Sequence, residues 1–484
     1  MTDSRLKLKA SVLAGERMLK RLRAGKLLRN LLAISLLLGI SAAFPASAGP
    51  PGSFVTDFNV QNLGAAQATI TVVFYDQNGN QVGTKTFTNV PAGSSAYFNP
   101  ATMPLDGGGS LPSGFQGSAV VQSDQPLAAI TTLANDLTGL QYVSDAYVGV
   151  TQPNTTVFAP IVMANLGPWN TRISIQNAGS APAPAYITYK QGGTTVPTQQ
   201  TNPIPPGASV VVDQATSGLN GFNGSAVITS TQPLAISVDE YKSTGGLLVS
   251  YTAIPLSKAS MTVYMPGYIN VYGPWTTDFT IINTGSAAAS VSVSFTGIST
   301  VLNCSIPANG TLYLNPAVGN YGGCSGGPLP PNYYGAATVT ATQPVVVAYN
   351  IANTLGGSGN RAIGYTGIPP ADTGTVMAVP LIENGYGAGQ WVTTFSVQVL
   401  DGSSATVDLV YSGSVGGQPY SVTKSNQQVN GSRTFNQASD GHVPTGFLGS
   451  VKITSNKPIA VIADQNSLIL SGDVAAGFPA VKVQ

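Results

Sequence analysis

Four stretches of the chain read alike: FQGSAVVQSDQPLAAI from Phe115, FNGSAVITSTQPLAIS from Phe222, YGAATVTATQPVVVAY from Tyr334 and FLGSVKITSNKPIAVI from Phe447. Their prolines, Pro126, Pro233, Pro344 and Pro458, stand 107, 111 and 114 residues apart. A period of about 20 to 50 would describe solenoid units or blades too small to bury a core alone, whereas roughly 110 residues suffices for one independent sandwich. The 484-residue chain therefore reads as a tandem array of whole modules.

A second marker gives the same count. Trp169, Trp275 and Trp391 are the only tryptophans, and they open WNTRISIQNAGSA, WTTDFTIINTGSA and WVTTFSVQVLDGSSA; Phe54 opens the matching FVTDFNVQNLGAA. Between the markers lie alternating stretches such as ATITVVFYD (68–76) and ASVSVSFTG (289–297), then turn-plus-strand segments such as VPAGSSAYFN and IPANGTLYLN. Period-2 alternation of Val, Ile, Thr, Tyr and Phe, broken by Gly, Pro or Asn, specifies antiparallel strands. About seven strands per module are expected by these signals. The expected fold class is all-β: four tandem antiparallel β-sandwich modules, at 49–153, 154–258, 259–371 and 372–484, after a leader at 1–48.

Each Gln-Pro or Lys-Pro pair pushes its first residue to extended geometry and removes a ladder donor. SAVITS, a turn at TQP and LAISVDE are thus expected to form a hairpin. Another strand, ending at proline, precedes each tryptophan in TVFAPIVMAN, MTVYMPGYIN and TVMAVPLIEN. The first module lacks a counterpart after Gly49, which leaves an open sheet edge as an assembly point, unless that strand belongs to the preceding module and nothing is exposed. The short junctions predict four bodies in line, an elongated rod.

Residues 1–48 carry nine of the 20 Lys/Arg and two of the 19 acids, then the apolar run LLAISLLLGI and the Ala46-Ser47-Ala48 site. This is the pattern of a signal peptide cut between Ala48 and Gly49. The apolar run falls short of the roughly 20 residues that span a bilayer, so a retained anchor is the alternative reading and the only route to a membrane. Residues 49–484 keep 11 Lys/Arg and 17 Asp/Glu, a net charge of −6. With so few cations there is no basic patch to neutralise phosphates, and nucleic acid is excluded as a partner. A surface of Ser, Thr, Asn, Gln and Gly instead permits lateral association.

Few residue groups suggest chemistry. Cys304 and Cys324, in an exported chain, are expected to form a disulfide; zinc would need more soft ligands than these and the single His442. Gly323-Cys324-Ser325-Gly326-Gly327 matches a nucleophile elbow on letters, but Pro328, Pro330 and Pro331 follow where a helix is required. Asp76-Gln77-Asn78-Gly79-Asn80 reads as a hairpin turn, with calcium as the alternative. Asn99, Asp213, Asn315 and Asn436 read as Asx turns. Phe54 and the three tryptophans read as structural anchors of the repeat, with sugar stacking as the alternative. No catalytic residue, cofactor or metal is expected, and the protein is expected not to be an enzyme.

The W-x-T, I-P-x-G and G-S-A-V…Q-P phrases, set in this architecture, make residues 49–484 resemble the bacterial cell-surface and secreted proteins built from tandem immunoglobulin-like or fibronectin-III-like modules. The Cys…Trp…Cys spacing of immunoglobulin domains proper is absent. The resemblance implies a stalk, adhesin or surface-layer role and brings no binding residues. The expected function is thus a secreted, extracellular structural or adhesive protein of the cell surface, whose partners are further copies of itself, other surface proteins or glycans. The alternative is a carbohydrate-binding array with Tyr268, Tyr333 and Tyr334 as platforms. The exported protein should begin at Gly49, which its intact mass checks; a species retaining residues 31–48 in the membrane fraction is the contrary result.

Overall fold

The computed structural model describes residues 40–43, 54–135, 142–196, 198–244, 246–353 and 361–483. It is 66% strand and 4% helix, so sheets alone build the fold. In the first repeat these are β1 (Ile40–Ala43), β2 (Phe54–Asn62), β3 (Ala68–Asp76), β4 (Gln81–Val90), β5 (Ser95–Phe98), β6 (Gly117–Ser123), β7 (Leu127–Asn135) and β8 (Tyr142–Val148). The second has β9 (Asn154–Ala164), β10 (Trp169–Asn177), β11 (Tyr186–Gln191), β12 (Thr194–Thr195), β13 (Gln199–Gln200), β14 (Ser209–Asp213), β15 (Phe222–Lys242), β16 (Leu248–Thr252) and β17 (Ile254–Pro255). The third has β18 (Ser260–Asn270), β19 (Trp275–Asn283), β20 (Ala289–Phe295), β21 (Val301–Ile306), β22 (Thr311–Leu314), β23 (Tyr333–Asn353) and β24 (Arg361–Thr366). The fourth has β25 (Gly374–Tyr386), β26 (Trp391–Val399), β27 (Ser404–Val415), β28 (Gln418–Asn430), β29 (Ser432–Asn436), β30 (Phe447–Ser467), β31 (Gly472–Pro479) and β32 (Val481–Lys482).

The repeated prolines do not turn hairpins. β15, β23 and β30 run through Pro233, Pro344 and Pro458 as single strands of 21 residues each. Up to the proline, β15 pairs with β9 and β11; beyond it, with β10 and β16. β23 and β30 change partners in the same way, and β6 and β7 divide the task around Pro126. A proline cannot donate to a ladder. It therefore sits where the chain leaves one sheet for the other, and one bent strand serves both layers of a β-sandwich-like unit.

The register is the same throughout. Phe54, Trp169, Trp275 and Trp391 open β2, β10, β19 and β26 and face Asn135, Lys242, Asn353 and Ser467. Each of these partners lies nine residues after its repeat's proline. The aromatic that opens the bent strand is likewise fixed. Phe115, Phe222, Tyr333 and Phe447 fold their rings over Gly117, Gly224, Gly335 and Gly449, where an added Cβ would strike the ring. In the third repeat the equivalent residue is Tyr333, one position before the residue aligned by sequence.

The strand before each tryptophan pairs within the repeat that follows it: β9 with β15, β18 with β23, and β25 with β30. The first repeat does have a counterpart, because β1 pairs antiparallel with β6. Its four residues lie within 1–48, the segment expected to be a leader.

The expectation of bodies in line is overturned. β8 pairs in parallel with β31, joining the first repeat to the fourth. The same junction carries Asn59 Nδ2 to the Pro380 carbonyl at 3.2 Å and Ser450 Oγ to the Gly93 carbonyl at 2.8 Å. Gln398 Nε2 donates to Thr338 Oγ1 at 2.9 Å between the fourth and third repeats, Asn350 Nδ2 donates to Glu240 Oε2 at 2.9 Å between the third and second, and Ser118 Oγ donates to the Gly207 carbonyl between the first and second. The four repeats form a closed ring.

Their cores also run together. Ile130 and Ala146 of the first repeat join the core of the fourth, Ala460 and Ile462 of the fourth join that of the third, and Ala348 of the third joins that of the second. Strand segments such as Leu234–Tyr241 and Val345–Ile351 are accordingly buried at every position, with one face in the repeat's own core and the other against its neighbour. A 436-residue chain in a compact form has a radius of gyration of about 22 Å, against about 40 Å for a four-body rod. Small-angle scattering of a monomer beginning at Gly49 should give a value close to the former.

Candidate functional site

The closing strands β8, β16, β24 and β31 meet in the middle of the ring, each lying against the next. Each carries a small residue followed by an aromatic at the meeting point: Ala146-Tyr147, Ser250-Tyr251, Gly364-Tyr365 and Gly477-Phe478. They face Thr132, Asp239, Asn350 and Asp464, all six residues after the repeat prolines. The small residues are required by close approach. A Cβ on Gly477 would collide with Ile363 and Tyr365, and one on Gly364 would press into the backbone of Ser250. This pairing recurs at the repeat spacing and was a readable signal that the sequence analysis missed.

Carboxylates fasten the centre. Asp145 accepts the N–H of Ala146 at 2.7 Å, that of Gly477 at 3.1 Å and that of Ser250, so one side chain ties three repeats. Asp473 accepts Leu248 N–H and Ala362 N–H, each at 2.9 Å, and ties three repeats as well. Asp239 accepts from Ser250 Oγ at 2.9 Å and lies 3.7 Å from Arg172. All three carboxylates are fully buried. Burial pushes the carboxyls of Asp145 and Asp473 well above the usual range, against the lowering effect of the N–H groups they accept. Burial also raises Asp464, which faces Gly477, to about 7, and Glu383 to about 8.

Beside this centre a cavity of about 1700 Å³ is lined by Tyr147, Tyr251 and Tyr365 and by the segments that leave the closing strands, including Pro153, Pro255 and Pro369. Lys258 and Asp372 form an ion pair in its wall. The rest of the lining mixes hydroxyl and amide side chains with apolar ones.

The residues singled out by sequence are scattered. Cys304 of β21 is bonded to Cys324, with Cα atoms 4.4 Å apart, and the backbone of Asn303 exchanges hydrogen bonds with Ser325 beside it. By loop entropy such a bridge contributes about 3 kcal/mol. It also occupies the sulfur that a nucleophilic Cys324 would need. His442 is buried, with Nδ1 3.0 Å from the Tyr411 hydroxyl and its ring near Phe435. The Asp76–Asn80 stretch is a turn between β3 and β4, with Asp76 Oδ1 accepting Asn78 N–H at 2.9 Å and Asn80 N–H at 2.8 Å. Asn99, Asp213 and Asn436 make Asx turns onto Ala101, Ala215 and Ala438; Asn315 makes no such bond.

The tryptophans are half-buried at repeat edges. Lys242 Nζ lies 5.1 Å from the Trp169 ring centre, and Trp391 lies 6.1 Å from Tyr142 of the first repeat. Tyr268 and Tyr333 are core residues, which removes them as platforms. Tyr334 is 41% exposed and its ring lies 5.5 Å from that of Tyr272, 50% exposed. Ala48 and Gly49 lie outside the described residues. Among the described residues no helix is long and apolar enough to cross a membrane.

A motif that went unassigned is the Asn-x-Gly after the tryptophan strand. Asn62, Asn177 and Asn283 are fully buried; Nδ2 donates to two carbonyls in the first two and to three in Asn283, and each Oδ1 accepts the N–H of Gly64, Gly179 or Gly285 at 2.9 Å. The glutamine before each proline lies over that glycine. The fourth repeat has Val399 in place of the asparagine and Lys457 in place of the glutamine, and Lys457 pairs instead with Asp401 at 3.2 Å.

No protein-family model and no curated protein matches the chain. Among solved structures, the Thermotoga maritima protein 1070 is 19% identical over 22% of this chain and 93% of its own, with a TM-score of 0.19. The Anabaena sensory rhodopsin transducer is 18% identical over 19% of this chain and 95% of its own, with a TM-score of 0.16. A GH78 family rhamnosidase of Bacillus sp. GL1 is 8% identical over 91% of this chain and 54% of its own, with a TM-score of 0.12. None of these likenesses bears on function.

The buried carboxyls give stability a definite pH dependence. Their folded pKa values lie above the unfolded value of about 4, so between about pH 4 and pH 8 the folded chain binds more protons than the unfolded one. Stability therefore falls as pH rises through that window. Tm should be lower at pH 8 than at pH 5, and Glu383→Gln with Asp464→Asn should flatten the slope; thermal melts across the range check both.

Proposed function

We propose that this is a secreted, non-enzymatic protein of the cell surface or extracellular matrix, built from four immunoglobulin-like sandwich repeats and acting as an assembly or adhesive unit. A stalk is set aside, because the repeats close on one another. The observation that carries the reading is where the two layers of each repeat go. The inner sheets are consumed by ring closure, and the outer sheets end in edge strands β4, β12 and β13, and β21; in the fourth repeat β28 is paired along one side with β27 and on the other meets β29 only at Asn430–Ser432. β28, QPYSVTKSNQQVN, is exposed along most of its 13 residues and, like its counterparts, is rich in Ser, Thr, Asn and Gln. Edges of this kind are templates for pairing, and a surface with few charges does not oppose the approach of another copy. Concentration-dependent association in sedimentation, without added ligand, together with surface immunogold labelling of cells, is the expected outcome; a strictly monomeric protein confined to the cytoplasm would overturn the reading.

One observation favours the carbohydrate-binding alternative. Tyr272 and Tyr334 stand exposed side by side, with their rings inclined at 42° and Thr434 Oγ1 donating to the Tyr334 hydroxyl at 2.7 Å. Two adjacent aromatic faces can stack on a sugar ring. Glycan binding that Tyr334→Ala and Tyr272→Ala each abolish would support it, whereas binding unaffected by either would remove it.

A further inference from the structure

The strand before each tryptophan does two jobs. It completes a sheet of its own repeat, and it lies against the next repeat of the ring: β9 against β19 and β23, β18 against β26 and β30, and β25 against β2 and β7. β1 occupies the same place in the first repeat, paired with β6 and lying against β10 and β15 of the second. Its register matches that of its counterparts. Ile40 faces Val121 and Ala42 faces Ala119, as Val157 faces Ile228 and Ala159 faces Ala226. Val121 and Ile228 stand five residues before their prolines, and Ala119 and Ala226 seven before. Yet β1 lies N-terminal to the Ala48–Gly49 site, so export with cleavage there removes a strand for which the ring has a shaped place.

We infer that the edge of β6, between the first and second repeats, is a strand-binding site, which cleavage frees and which an extended segment of another polypeptide then fills. The inference rests on the secreted, processed form proposed above. The donor is not a second copy of this chain. Its residues 49–53, Gly-Pro-Pro-Gly-Ser, carry two prolines, and Val481–Lys482 is already paired with β25. A folded edge strand from a copy is also too bulky, since the place lies between two packed repeats and admits a single strand. The partner is therefore a different exported chain with an extended, uncharged segment. It bears a branched aliphatic residue opposite Val121 and an alanine-sized one opposite Ala119, and backbone hydrogen bonds along β6 hold it. Ser118, buried beside this edge with its hydroxyl on the Gly207 carbonyl, limits the donor to small residues there.

The test compares chains beginning at Gly49 and at Leu38, probed with a synthetic peptide of residues 38–44, LGISAAF. The Gly49 chain should bind the peptide saturably and melt several degrees higher with it; the Leu38 chain, which holds its own strand, should not bind. A peptide carrying Ser41→Pro should bind at least about tenfold more weakly, because proline removes a donor and cannot continue a ladder. If the Gly49 chain refolds only with the peptide present, that is the same result in a stronger form. A Gly49 chain that folds, melts like the Leu38 chain and ignores the peptide overturns the inference, as does one that stays unfolded with the peptide. Intact mass of the exported protein is a separate readout: a retained leader defeats the processed form, while the peptide measurement still decides whether the β6 edge binds a strand.

Discussion

The structure depends on one strand in each repeat that is buried on both faces after its proline. Before the proline the strand keeps an alternation, with Ala226 and Ile228 buried and Val227 and Thr229 partly exposed. After it, LAISVDE, VVVAYNI and IAVIADQ offer apolar or small residues to both sides. A sheet of that composition left facing water would expose a broad apolar surface. Four such sheets bury one another by closing into a ring, and the residue four positions after the proline, Ile130, Ala348 or Ile462, enters the neighbouring core. The linkers are short because the closing strand of one repeat delivers the chain to the place where the next must start.

Dense packing at the middle of the ring explains the acids found there. Where strands from different repeats converge, their edge N–H groups do not all find carbonyls, and an unpaired buried donor costs about 1–3 kcal/mol. A carboxylate with several lone pairs can satisfy donors from more than one strand, as Asp145 and Asp473 do. The cost is the desolvation of a charge, which appears as carboxyls held well above their usual range. Charge pairing plays the smaller part: near the centre Arg172 approaches one of these acids, Asp239, while backbone dipoles hold Asp145 and Asp473.

The all-β class, the repeat spacing and the disulfide were legible in the sequence because each rests on a local rule: period-2 alternation, fixed phrases, and a lone pair of cysteines about 20 residues apart. What escaped was long-range. The Gln-Pro pair breaks a ladder, and a broken ladder admits two outcomes, a hairpin or a strand that changes sheets. Only the partners of Leu234 onward distinguish them. The missing alternation in QPLAAI and QPVVVAY was the available clue, since a strand with one wet face would have kept it. The tyrosines illustrate the same limit: Tyr333 and Tyr334 are neighbours in sequence, but the pleat sends one into the core and the other to the surface. Of the candidate site, the small-aromatic pairs were visible at the repeat spacing, whereas the convergence of Asp145 and Asp473 on three repeats each was not, because it exists only once the ring is closed.

The departures among the repeats show which features are local conveniences and which are demanded by the ring. Turn chemistry is replaceable: Asn-x-Gly with an overlying glutamine in three repeats becomes Val399 with the Lys457–Asp401 pair in the fourth, at a surface where an ion pair contributes little. The bent strand can even be split, as β6 and β7 are around Pro126. Constant in all four are the nine-residue offset between the proline and the partner of the strand-opening aromatic, and the small residue at the centre. Both fix where an inner sheet stands relative to its neighbours. A closed ring tolerates no accumulated error, since a displacement in one repeat must be absorbed before β31 reaches β8. Four unequal sequences can meet that condition only if the inner-sheet register is held while everything outside it varies.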